Sequence, residues 1–217
     1  QGSFTRKKFY SITLNDLLGN SSQLPYNESP SRFLSLEIDH YKKETSCNNV
    51  TKTGYILICG QVPTDTQVQH FDYVDWLKLT IQNIQNYTNR KIVLRIHPNC
   101  YKSTVEKIIN KTGINTQMLS TNEKLEDDFS QAFCVVAYNS NTLLDALIYG
   151  LPIFAFGKDS LVYKVSNTDL KTIENPFFPK YKERLQTFSD IAYTQWTTDE
   201  IKENKPFMYY EQNFLNY

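Results

Sequence analysis

Three short polar segments carry side chains suited to holding a phosphate or acting at a sugar carbon. They are G-Q-V-P-T-D at 60–65, H-P-N at 97–99 and Y-N-S-N-T at 138–142. Each follows an apolar run, which predicts that each leaves the end of a β-strand. Because the carboxyl ends of parallel strands meet at one edge of a sheet, we expect the three segments to lie together there.

The third segment is typical of a helix start. Asn139, Ser140, Asn141 and Thr142 precede a helical apolar pattern that Gly150 ends. Asn and Ser cap helices through side-chain hydrogen bonds, and the first N–H groups, together with the helix dipole, attract anions. A phosphate could be held there; the alternative is an ordinary βαβ unit whose first turn binds water.

Two further side chains could contact the same phosphate. His97 is held out of helical geometry by Pro98 and titrates near neutral pH, so it could donate to a phosphate or a leaving group. The alternative is a histidine that satisfies a loop carbonyl. Lys158, directly after Gly157, either neutralises a phosphate or faces solvent.

Asp65 is the carboxylate nearest to a predicted strand end, four residues after Gln61. A carboxylate beside an anomeric carbon can act as a nucleophile or base, or stabilise an oxocarbenium ion. The alternative is a turn aspartate that caps its own backbone after Pro63.

Strands and helices alternate from Gly54 onward. The expected strands are 55–59, 91–96, 116–119, 133–137 and 153–156, and the expected helices are 72–87, 102–111, 125–131 and one after 142. This order predicts an α/β fold, a doubly wound Rossmann-like parallel sheet, followed by C-terminal helices beyond 176.

The predicted domain is 54–217. An irregular lead-in with a short helix near 30–41 occupies 1–53, and residues 1–3 look like a tag remnant. The acidic cluster at 123–128 predicts a solvated helix start.

Composition excludes several classes of protein. The chain has 217 residues, 40% of them hydrophobic, which is enough for a substantial core. Lys plus Arg equals Asp plus Glu at 23 each, so no nucleic-acid partner is expected. The four cysteines form no C-x-x-C pair, and no metal-ligand spacing, P-loop, G-x-G-x-x-G or G-x-S-x-G motif occurs, so we expect no metal or cofactor. Without a membrane span or signal pattern, we expect a cytoplasmic protein, at most one at the inner membrane surface.

The three segments, in this order and spacing, resemble the nucleotide-binding half of bacterial capsule polysaccharide glycosyltransferases. The pattern is most similar to that of retaining 3-deoxy-manno-octulosonic acid (Kdo) transferases of the GT-B type. The matching motifs are Q-x-x-x-D from Gln61 to Asp65, H-P at His97, A-L-x-x-G-x-P from Ala146 to Pro152, and W-T-T-D-E-I from Trp196. The resemblance covers about 54–210.

The resemblance implies a role for each matched residue. His97 would contact the phosphate of a CMP-sugar, and Ser140 with Thr142 would hold the same phosphate. Asp65 would be the catalytic carboxylate of a retaining transfer, with Gln61 positioning it. The nucleotide sugar is a co-substrate, and such donors need no metal.

The resemblance also implies a saccharide or glycolipid acceptor, which GT-B enzymes hold on a second Rossmann-like domain. The lead-in is too short to form one, so we expect a partner domain or chain to supply that site. Two alternatives remain: a catalytically silent nucleotide- or sugar-binding module, and a phage-type transferase that modifies nucleic acid.

Overall fold

A computed structural model describes residues 3–4, 8–13, 25–38 and 53–215. His40, Cys47 and most of the lead-in therefore lie outside the described residues. The strands are β1 Tyr10–Ser11, β2 Tyr55–Cys59, β3 Ile92–Arg95, β4 Ala132–Ala137, β5 Ile153–Ala155 and β6 Gln195–Trp196. The α-helices are α1 Ser31–Leu34, α2 Tyr73–Tyr87, α3 Lys102–Thr112, α4 Leu125–Phe129, α5 Thr142–Tyr149, α6 Tyr181–Ala192, α7 Thr198–Lys202 and α8 Lys205–Tyr210.

Four strands form a parallel sheet in the order β3-β2-β4-β5. Alternate side chains of β2 enter two separate apolar cores, Ile56 and Ile58 on one face, Leu57 and Cys59 on the other. Burial on both faces explains the continuous apolar runs of these strands. The predicted α/β fold with a doubly wound parallel sheet and C-terminal helices is confirmed.

Helices cover both faces of the sheet. On one face α2 contributes Val74, Leu77, Ile81 and Ile84 to the core, and on the other α5 contributes Leu143, Leu144, Ala146 and Leu147. Asp72 caps α2 by accepting hydrogen bonds from the N–H groups of Val74 and Asp75, both at 3.0 Å. Each helix therefore buries one apolar face against the sheet and begins at polar residues.

Two expectations about local structure were wrong. The expected strand at 116–119 is a 3₁₀ turn, Thr116–Met118, followed by a single parallel bridge from Leu119 to Leu94. Asp128, expected in a solvated cluster, is fully buried, and its carboxylate accepts hydrogen bonds from Arg95 (2.6 Å), Ser120 and Asn122. Burial of this carboxylate is tolerated because a guanidinium and neutral donors surround it.

The described parts of the lead-in pack on the C-terminal helices. β1 pairs antiparallel with β6, and Phe33 of α1 stacks against Phe188 of α6 with ring centroids 5.2 Å apart. Arg32 forms an ion pair with Glu200 at 2.7 Å, donates to the carbonyl of Ala192 and lies 4.1 Å from the ring centroid of Trp196. This group of contacts, called here the Arg32 clamp, joins segments that are distant in sequence.

Candidate functional site

The strand order reverses between β2 and β4. The chain runs outward from β2 to β3 and to the bridge at Leu119, then returns to β4 on the other side of β2 and continues to β5 and to a parallel bridge between Phe154 and Asn167. In open parallel sheets a crevice forms where the order reverses, at the carboxyl ends of the two diverging strands, and ligands bind there. The segments that leave these ends begin at Gly60 and Tyr138.

A reciprocal pair of amide hydrogen bonds joins these two segments. The Gln61 side-chain Nε2 donates to Asn139 Oδ1 at 2.7 Å, and the Asn139 backbone N–H donates to Gln61 Oε1 at 3.2 Å. Both residues are buried, with exposures of 7% and 8%. The backbone N–H of Gln61 donates to the Tyr73 hydroxyl at 2.9 Å. This Gln61–Asn139 bridge fixes the floor of the crevice.

The segment after β5 joins the same arrangement. Asn139 Nδ2 donates to Asp159 Oδ2 at 2.6 Å, and the N–H of Gly157 donates to the Tyr138 carbonyl at 2.8 Å. A Cβ on Gly157 would lie 2.9 Å from Asn139 Cβ and 2.9 Å from Tyr138 Cε1. Glycine at 157 therefore allows the close approach of the two segments.

Ser140 and Thr142 form the start of α5. Ser140 Oγ accepts hydrogen bonds from the Thr142 hydroxyl at 2.9 Å and from the Thr142 N–H at 3.3 Å. The Thr142 hydroxyl also contacts the thiol of Cys59, whose pKa burial raises to about 12. Asn141 is turned away from this pair, since its Nδ2 donates to the Ser3 carbonyl at 3.2 Å.

Two backbone donors remain at the start of α5. Among the hydrogen bonds of the described residues, none engages the N–H of Ser140 or of Asn141. The first N–H groups of a helix lack intrahelical acceptors and carry the positive end of its dipole. Together with the Ser140 and Thr142 hydroxyls, they can bind one anionic group.

His97 follows β3 and is half-buried. Its Nδ1 accepts the backbone N–H of Asn99 at 3.1 Å, so the neutral ring carries its hydrogen on Nε2, where it is a donor. Pro98 is exposed beside it. Cys100 ties this loop to the crevice, because its thiol contacts the Gln61 carbonyl at 3.9 Å.

Asp65 and Lys158 are both exposed. Asp65 Oδ1 accepts the N–H of Gln67 at 3.2 Å, which is the geometry of a turn aspartate. The Gln61 side chain bonds to Asn139, so these hydrogen bonds hold the crevice floor and not Asp65.

Sequence reasoning missed an aromatic group beside the crevice. The ring of Tyr138 lies 4.7 Å from that of Phe71 and 5.4 Å from that of Trp76. His70 stacks on the edge of Phe71 at 4.8 Å. No motif marks these residues, because their proximity depends on the packing of α2 against β4.

Asp159 was missed for the same reason, because its partner Asn139 lies 20 residues earlier.

Within the described ranges no group of three or more His, Cys, Asp or Glu side chains is arranged to hold a metal ion. The same residues include no helix that is long and apolar enough to cross a membrane.

No protein-family model and no curated protein sequence matches this chain. Among the solved structures that resemble it is KpsC of Thermosulfurimonas dismutans, a beta Kdo 2,7 transferase. That protein is 15% identical, with a TM-score of 0.49, over 92% of this chain and 71% of its own. Similarity at this level assigns neither a reaction nor a substrate to this chain.

Proposed function

We propose that this chain is a glycosyltransferase, or the donor-binding domain of one, and that its co-substrate is a CMP-linked sugar, Kdo-like in type. The observation that carries the proposal is the crevice between β2 and β4, where the Gln61–Asn139 bridge lies next to the donors of Ser140 and Asn141. The sequence resemblance of the same segments to capsule polysaccharide transferases supports it.

The proposed reaction uses these groups in a defined order. The bond between the anomeric carbon and the phosphate oxygen breaks, and CMP leaves with the bonding electron pair. His97 Nε2–H and the α5 donors stabilise the charge that develops on the phosphate. The Asp65 carboxylate either bonds to the anomeric carbon as CMP leaves or shields that carbon without a bond. An acceptor hydroxyl then bonds to the same carbon, breaks the bond to Asp65 where one has formed, and gives its proton to the CMP phosphate.

Two roles rest on this proposal only: Asp65 as the catalytic carboxylate and Lys158 as a positive charge that neutralises the phosphate. An exposed Asp65 must turn from Gln67 toward the sugar when the donor binds, which is consistent with a loop residue. The acceptor, a saccharide or glycolipid, would be held by a partner domain or chain, and the reaction would take place in the cytoplasm or at the inner membrane surface.

A CMP titration tests the proposal. At 100 times the dissociation constant, a ligand stabilises a protein by about 2.7 kcal/mol, which for a chain of this size raises the melting temperature by roughly 5 to 10 °C. His97→Ala and Ser140→Ala should each weaken CMP binding by about tenfold or more, because a hydrogen bond to a charged group is lost. Ser130→Ala is the matched control, since Ser130 is an exposed serine that follows α4. A flat response to CMP, UDP and GDP would refute the proposal.

The exposed geometry of Asp65 favours one second candidate, a binding module without catalysis. Slow release of CMP from a CMP-sugar by the protein, lost in Asp65→Ala while CMP still binds, would exclude that candidate. Binding of CMP with no turnover in the presence of an acceptor domain would favour it.

A further inference from the structure

A cavity of about 400 Å³ lies between the lead-in, the turn after β5 and α6. Its lining residues lie outside the three polar segments of the crevice. Those that matter here are Tyr26, Leu161, Lys164, Lys182, Gln186 and Asp190. The volume falls within the range of small-molecule sites, which are mostly apolar with a few converging polar groups.

Three hydrogen bonds to Glu28 hold the segment that carries Tyr26 in place. The N–H of Glu28 donates to Asp190 Oδ1 at 2.9 Å, and Gln186 Nε2 donates to the Glu28 carbonyl at 3.1 Å. The Tyr209 hydroxyl donates to the Glu28 carboxylate. Asn27 makes the turn between Tyr26 and Glu28 with φ of 61°, a conformation that asparagine tolerates better than most residues. The site is therefore preformed.

Asp190 offers a buried acceptor to the cavity. It is 8% exposed, and its Oδ1 accepts the Glu28 N–H and, at 2.8 Å, Gln186 Nε2. Among the described residues no hydrogen bond engages Oδ2. Burial raises the pKa of this carboxyl group, while nearby Lys164 favours its charged form. A ligand hydroxyl that donates to Oδ2 would complete its hydrogen bonding.

Two lysines face the same space. Lys164 Nζ lies 5.7 Å from the Tyr26 ring centroid, and Lys182 lies in the first turn of α6. No ion pair among the described residues involves either lysine. The nearby Glu183 carboxylate accepts the Lys180 N–H at 2.7 Å at the helix start. Glu183 and Asp190 also line the cavity, so its charges balance, and Lys164 and Lys182 are the cationic groups that a ligand carboxylate can reach.

The lining favours a sugar over a hydrocarbon chain. Tyr26 is 72% exposed and offers a ring face, and Leu161 extends this apolar wall. A purely apolar ligand would leave Asp190 Oδ2, which accepts no hydrogen bond from the described residues, facing hydrocarbon at the cost of a polar atom without a partner. A sugar ring has C–H faces for the apolar wall and hydroxyl groups for the α6 side.

We propose that this cavity binds an acidic saccharide, a sugar unit that carries a carboxylate. Its C–H face packs on Tyr26, a hydroxyl donates to Asp190 and its carboxylate pairs with Lys164 and Lys182. Residues 157–165 contribute both Gly157 and Asp159 to the crevice and Leu161 and Lys164 to the cavity. Binding at this cavity stands independently of the proposed reaction.

The test compares methyl glucuronide with methyl glucoside by isothermal titration and ligand-observed NMR; the two differ only at C6, where a carboxylate replaces a hydroxymethyl group. Glucuronide should bind roughly tenfold more tightly than glucoside, as expected for an added charge-assisted contact. Lys164→Gln should remove this preference, and Tyr26→Ala should weaken both sugars. Lys107→Gln and Tyr87→Ala are matched controls on α3 and α2, and they should change nothing.

Equal affinity for both sugars would overturn the acidic assignment, and failure of glucuronide to bind at millimolar concentration would overturn the site. Unchanged binding of both sugars to Tyr26→Ala protein would overturn the placement of the sugar on the Tyr26 ring. If His97→Ala protein still binds glucuronide, the cavity is a site separate from the crevice. If His97→Ala abolishes glucuronide binding, the two are not separate.

Discussion

Replacing Gln61 with methionine removes the Gln61–Asn139 bridge while nearly preserving side-chain volume. Methionine fills the space of the glutamine stem, so no large cavity forms. The Gln61 N–H still donates to Tyr73, because that bond comes from the backbone. The change therefore isolates the two amide hydrogen bonds that cross the crevice.

The expected cost follows from what is left without a partner. Asn139 is 8% exposed. In the variant its backbone N–H loses its acceptor and its Oδ1 loses its donor. A buried polar group without a partner costs about 1–3 kcal/mol, so the pair should cost about 3 kcal/mol. For a chain of this size, that lowers the melting temperature by roughly 6 to 12 °C.

Urea denaturation and calorimetry measure this loss. Gln69→Met is the matched control, since Gln69 is an exposed glutamine in the loop that follows β2, and it should stay within about 0.5 kcal/mol of the natural chain. A double-mutant cycle with Asn139→Ala should give a coupling of about 1 kcal/mol for the side-chain bond. The Gln61→Met protein should also lose most of its response to CMP.

Two results would refute this reasoning. If Gln61→Met costs no more than the Gln69 control, the two amides are not joined across the crevice. If the Gln61→Met protein loses stability but keeps full CMP affinity, the bridge supports the fold and the nucleotide binds elsewhere.

Two further predictions concern other contacts. Gly157→Ala should cost about 1–3 kcal/mol and weaken CMP binding, because the new Cβ would lie 2.9 Å from Tyr138 and from Asn139; an unchanged melting curve would contradict this crowding. Burial alone would raise the pKa of Glu200, but its hydrogen bonds, above all those from Arg32, outweigh burial and lower the pKa to about 2 from its ordinary 4.5. The stabilisation is therefore complete above the ordinary value and lost as pH falls from about 5 to 2. Glu200→Gln should remove on the order of 1–2 kcal/mol of this acid dependence, after allowance for solvent screening, and an unchanged pH profile of urea stability would contradict the assignment.

Local pattern was enough to predict most of the elements. The apolar run from Tyr55 to Cys59 and the polar-to-helical change at Thr142 mark β2 and the start of α5 in the sequence itself. Alternation of strands and helices then predicted the parallel sheet, and strand ends predicted which loops share an edge.

Contacts between side chains were not predictable in this way. Gln61 and Asn139 are 78 residues apart, and neither residue type indicates a partner. Asp128 is charged, so its local pattern indicated solvent, whereas Arg95 at the end of β3 made its burial possible. Leu119 continues an apolar pattern, but it makes only one bridge with Leu94.

The Arg32 clamp has a consequence for synthesis on the ribosome. Arg32 and Glu200 are 168 residues apart, so at about 5–20 residues per second Arg32 emerges roughly 8 to 34 s before its partner. Until then Phe33 has no Phe188 to cover it, and the β1 edge has no β6. The parallel sheet can assemble during that interval, so this segment is made before the sheet but docks after it.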